Sequence, residues 1–76
     1  MFEYCSVTYA CIARGWTQEI SWVRVDGKEI KDWYDKLWID YLNYMAGQKW
    51  ELVSTHSLAS SAAGDSVAVA YFKRSI

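Results

Sequence analysis

A chain of 76 residues with net charge −1 makes one small domain, and its totals exclude several roles. Eight basic residues are scattered among nine acidic ones, so no basic run tracks a phosphate backbone, and no apolar run approaches the ~20 residues of a membrane span. A domain of this size buries only about 60% of the surface its unfolded chain exposes. With no proline, one His and two Cys, the reinforcement open to it is aromatic packing by five Trp and six Tyr, or oligomerisation.

Residues 2–13, FEYCSVTYACIA, read as a long strand rich in aromatic and β-branched residues. Phe2, Tyr4, Ser6, Thr8, Ala10 and Ile12 share one face; Glu3, Cys5, Val7, Tyr9, Cys11 and Ala13 share the other. Neither face is cleanly polar, whereas a sheet with one wet face alternates apolar and polar residues. Part of the second face is therefore expected to be covered by loops or another subunit. Cys5 and Cys11 would lie roughly 20 Å apart on such a strand, and a disulfide needs its Cα atoms within about 7 Å. Both read as small buried side chains, without the electropositive surroundings that make a thiol reactive. The chain enters FEYCSV without a basic n-region, so no signal peptide is expected, and reduced thiols point to the cytoplasm.

Arg14-Gly15-Trp16-Thr17 reads as a turn, and residues 18–25, QEISWVRV, as a second strand antiparallel to the first. Plain alternation puts Ile20, Trp22 and Arg24 on one face and Ser21, Val23 and Val25 on the other. Asp26-Gly27 is a tight-turn dipeptide, followed by a short return strand at Lys28-Glu29-Ile30.

Asp32 to Lys49, DWYDKLWIDYLNYMAGQK, reads as one amphipathic helix. Tyr34, Leu37, Trp38, Tyr41, Leu42 and Met45 recur at helical spacing and form its core stripe. Asp32 is the expected N-cap, Asp35 complements the helix dipole, and Gly47 is the expected left-handed terminator. Trp33 and Tyr44 widen the apolar arc on one flank, and Ile39 lies nearly opposite the stripe. These residues either cover the edge of their own core or meet a second chain.

Residues 50–59, WELVSTHSLA, read as a third long strand, 60–66 as a small polar loop with a turn at Gly64-Asp65, and 67–74, VAVAYFKR, as the last strand. Consecutive strands usually pair. The expected fold is α+β: a four-stranded antiparallel sheet in the order β-β-α-β-β with one amphipathic helix on one face, a single domain over residues 1–76.

Phe2-Glu3-Tyr4, Leu42-Asn43, Trp50-Glu51-Leu52-Val53-Ser54 and Tyr71-Phe72-Lys73-Arg74 together resemble the small bacterial domain-of-unknown-function family 4177. The likeness spans nearly the whole chain in order and spacing. The family's usual pattern carries glycine just before the tryptophan, where this chain has Lys49, and another glycine where it has Ala46 beside Gly47. The resemblance implies a small α+β fold in a bacterial, cytoplasmic protein and hands over no catalytic residues. The Trp50 motif reads as a fold signature, with Trp50 closing the core against the helix end and Leu52 or Val53 packing beneath the helix.

No constellation for chemistry emerges. His56 and Ser57 alternate to opposite strand faces, so they are not partners, and two Cys with a distant His lack zinc spacing. Asp32, Asp35 and Asp40 are better explained by capping and solvation than by a cation, and four scattered glycines make no phosphate loop. Trp16, Trp22 and Trp33 near Arg14 and Arg24 could stack bases, but the charge balance opposes a nucleic-acid partner. The expectation is a non-catalytic module without cofactor or metal that self-associates, a homodimer being favoured. Its candidate interface residues are Trp33, Tyr44, Ile39, Trp22 and Trp16. The alternative is a small apolar ligand in an aromatic-lined pocket.

Overall fold

The computed structural model describes residues 1–60 and 65–76. Its strands are β1 (Phe2–Arg14), β2 (Thr17–Val25), β3 (Lys28–Glu29), β4 (Glu51–Ser60) and β5 (Asp65–Ser75), with one α-helix, α1 (Trp38–Gly47). They form one antiparallel sheet in the order β3-β2-β1-β5-β4. The fold is α+β with five strands rather than four, because the Lys28–Glu29 return segment pairs with Val25 and Arg24. Between them Asp26 and Gly27 both take positive φ, 51° and 88°, the turn geometry that matches strand twist in a two-residue hairpin. The loop expected at 60–66 falls mainly on 61–64, outside the described residues.

β1 is the central strand, paired with β2 over Val7–Arg14 and with β5 over Phe2–Ile12. Its thirteen residues span about 43 Å at ~3.3 Å each, which accounts for the 41 Å long axis of a body 21 Å across. Ala10 pairs with Trp22 and Cys11 with Ile20, leaving Ser21 as a bulge. The extra residue turns Ile20 and Val23 to the same side and Trp22 to the other. This corrects the plain alternation that grouped Ile20 with Trp22.

Lys31–Trp33 form one 3-10 turn, and α1 begins only at Trp38. The single helix expected over 32–49 is broken because the intervening chain pairs with the sheet edge. The Asp35 amide donates to the Ile20 carbonyl at 2.9 Å, and the Ile20 amide donates to the Lys36 carbonyl at 2.8 Å. Asp35 takes φ 65° to make this turn. Asp32 caps neither helix: Ile30 and Leu37 hold the two N-cap positions, each without a side-chain cap bond.

Trp38, Tyr41 and Met45 turn inward from α1 onto Cys5, Val7, Tyr9 and Cys11 of β1, Ile20 and Val23 of β2, and Ala70 and Phe72 of β5. Tyr9 and Trp38 stack with centroids 3.8 Å apart, and Trp33 meets Tyr41 edge-on at 5.0 Å. These aromatic contacts carry much of a core whose largest fully buried side chains are only Phe72, Ile20, Val7 and Val23.

The helix ends on paired bonds: the Trp50 amide to the Met45 carbonyl and the Lys49 amide to the Ala46 carbonyl, both 3.0 Å. This is the Schellman pattern, and its left-handed residue is Lys49 at φ 72°, not Gly47, which is the last helical residue. Trp50 follows half-buried against the core, closing it at the helix end as expected. Lys49 stands where the family pattern described above has glycine.

Placing glycine at 49 removes the left-handed strain of a Cβ-bearing residue but adds chain entropy to the unfolded state. Lys49→Gly is expected to raise stability by about 0.5–1 kcal/mol. Gly47→Ala is also expected to stabilise, by about 0.5–1 kcal/mol, since a Cβ there meets nothing within 4 Å. Urea midpoints check both; a loss with Gly47→Ala would return the terminator to position 47.

Candidate functional site

α1 packs over the β2 side of the sheet, with its inward residues reaching β1 and β5. β4 lies beyond that cover. Leu52, Thr55 and Ser57 pair with Phe72, Ala70 and Ala68, which places them on the helix side of the sheet, yet all three are exposed. Leu52 is 43% exposed, Val53 50% and Leu58 58%. This corrects the expectation that Leu52 or Val53 packs beneath the helix: a ten-residue helix spans about 15 Å and ends before reaching β4. Val53 and Leu58 are the extra residues of two bulges, between Leu52 and Ser54 and between Ser57 and Ala59.

Among the described residues no helix covers the opposite sheet face. Phe2, Tyr4 and Tyr71 are exposed there, whereas Ala10 and Val69, further along the same face, are buried. Lys73 lies over the Phe2 ring at 4.9 Å and Arg24 over Trp22 at 4.4 Å, so two cations partly screen this surface. Ser54 and His56 share the same face, with Oγ and Nε2 3.3 Å apart. Neither lines either of the cavities described below, and His56 meets Tyr71 edge-on at 6.0 Å. That is a surface pair on an edge strand rather than a nucleophile and base in a shaped site.

A cavity of about 440 Å³ opens between the β1 end of the sheet and the C-terminal half of α1. Trp33, Tyr41, Tyr44 and Trp50 give it aromatic walls, with Cys5 and Met45 among its apolar lining. Glu3, Asp26, Asp32 and Arg74 also line it. Arg74 pairs with Glu3, lies over Trp50 at 4.3 Å and donates to the Gln48 carbonyl at 3.3 Å. Asp26 accepts from the Ser6 amide at 2.9 Å.

The five residues expected to form one interface occupy three places. Trp33 and Tyr44, 5.3 Å apart, line this cavity. Trp16, fully exposed, and Ile39 line a second depression beside Trp38 near the β1–β2 turn. Trp22 lies on the helix-free face beneath Arg24. Among the exposed apolar residues outside that expected set are Leu52, Val53 and Leu58 on β4. Their signal is the charge-free run after Glu51, which becomes meaningful only once β4 is known to be an edge.

Cys5 and Cys11 are buried free thiols. Burial raises Cys11 to about 11, with Asp65 adding to the effect. Burial also raises Cys5, followed by the Asp26 charge, with Arg74 opposing. Tyr41 is pushed up to about 12, chiefly by burial. At neutral pH these thiols are protonated and are poor nucleophiles. Among the described residues no group of three His, Cys, Asp or Glu side chains could hold a metal ion, and no helix is long and apolar enough to cross a membrane. The chain matches no family model, no curated protein and no solved structure.

The raised values set a pH dependence. The folded chain holds protons that the unfolded chain loses above a thiol value of 9.0, so the Cys11 contribution is intact below about pH 9 and is lost as pH rises towards 11. Thermal midpoints are expected to fall across that window, and Cys11→Ala to flatten the fall; an identical slope in the variant would remove Cys11 as its source.

Proposed function

We propose that this chain is a small, non-catalytic interaction module that self-associates, with a homodimer as its basic unit. The observation that carries this reading is the incomplete cover of the sheet: one short helix shields the β2 side and leaves β4 and the opposite face to solvent. The dimensions agree. A compact monomer of 8.8 kDa should expose roughly 4,800 Å², and this chain exposes 5179 Å². Its radius of gyration, 12.3 Å, exceeds the roughly 11.4 Å expected for its length. The resemblance to domain-of-unknown-function family 4177 and the two free thiols favour a bacterial cytoplasmic setting. The protonated thiols and the shallow Ser54–His56 pair favour a role without catalysis.

The 440 Å³ aromatic cavity supports a second reading, a site for a small apolar ligand. Trp33 and Trp50 both line it, so occupancy would alter their emission.

Light scattering on a sizing column over a hundredfold concentration range, with tryptophan emission read on the same samples, tests both readings. Self-association gives a mass of at least two 8.8 kDa chains. A single-chain mass throughout overturns it. If emission then shifts on adding an apolar probe, and Trp33→Ala removes the shift, the second reading takes its place.

A further inference from the structure

We infer that β4 is where two copies meet: its outer edge pairs antiparallel with the same edge of a second chain, joining two five-stranded sheets into one. This specifies the surface for the self-association proposed above and rests on that reading. The two ends of the sheet are treated very differently by the fold. At the β2 end the chain covers its own edge: β3 pairs with Arg24 and Val25, Ile30 donates to the Val23 carbonyl, and Asp35 and Lys36 exchange bonds with Ile20. At the β4 end no strand follows in the sheet order among the described residues.

An open edge offers unpaired amides and carbonyls to any strand, and natural edges are commonly guarded by Lys, Pro, inward charges or bulges. β4 has two bulges but no chemical guard after Glu51: Leu52 to Ser60 contains no charged residue and no proline. Leu52, Val53, Thr55, His56, Ser57 and Leu58 are all exposed, and Ser54 alone in this run is half-buried.

The two bulges, at Val53 and Leu58, leave the regular stretch Ser54 to Ser57 between them, and a second copy suits that stretch. An antiparallel two-fold contact sets residues of the same sheet face opposite each other, so an axis at His56 brings Thr55 opposite the partner's Ser57, both neutral. A charge close to that axis would face its own copy and be repelled. The charge-free run from Leu52 to Ser60 escapes that penalty, whereas the helix-free face carries Arg24 and Lys73.

Two charge-reversed double variants test this, since Thr55 and Ser57 are exposed and tolerate substitution without loss of core. Thr55→Lys with Ser57→Lys, and Thr55→Glu with Ser57→Glu, are each expected to weaken association at least tenfold and give single-chain mass where the wild type is dimeric. An equimolar mixture should recover the dimer, because unlike charges then face each other. Should a double variant unfold by circular dichroism, His56→Lys and His56→Glu on the other strand face repeat the test. Wild-type mass in both variants, or a mixture that stays monomeric, overturns β4 pairing while leaving self-association intact. A wild type that is monomeric throughout removes both.

Discussion

Ile20 exchanges two backbone hydrogen bonds with the segment that precedes α1, and much of the molecule follows from that exchange. It holds Asp35 and Lys36 against the outer edge of β2, so the backbone there cannot enter a helix. α1 is confined to Trp38–Gly47, about 15 Å of cover, over a sheet whose central strand is about 43 Å long. The same exchange anchors the helix over β2, beside Tyr9 and Trp38, and away from β4. One end of the sheet is thereby sealed and the other left open.

The features legible in the sequence were those decided by near neighbours. Asp26-Gly27 formed its tight turn because both residues tolerate positive φ. Trp38, Tyr41 and Met45 faced the core because helical spacing places them together. The start of the helix was not legible, since Asp32 has the chemistry of an N-cap but the competing partner, Ile20, lies twelve residues earlier across a turn. Nor was its end: Gly47 is the residue that tolerates left-handed φ best, yet the Schellman bonds fall two residues later and impose that conformation on Lys49. The Ser21 bulge likewise escaped strict alternation and moved Trp22 to the face opposite Ile20.

The candidate surface was less legible than the fold. Abundant Trp and Tyr drew attention to the aromatic residues, but several of them serve the domain itself: Trp33 packs on Tyr41, and Trp50 closes the core under Arg74. The run LVSTHSL is unremarkable as a buried strand and becomes conspicuous only as an edge. Its position follows from the pairing of β1 with β5, residues more than fifty positions apart, which no local pattern specifies. Burial, meanwhile, turns Cys5 and Cys11 from reactive residue types into protonated packing atoms. At β4 the fold leaves backbone and apolar side chains accessible.

Amide hydrogen exchange along β4, read at two protein concentrations that bracket the mass transition, probes that surface residue by residue. If two chains join there, outward-pointing amides between Leu52 and Leu58 exchange at least tenfold more slowly at the higher concentration, while those of the central strand β1 are unchanged. Equal exchange of the β4 amides at both concentrations, in samples whose mass has doubled, would place the contact elsewhere and leave the open edge without a role in association.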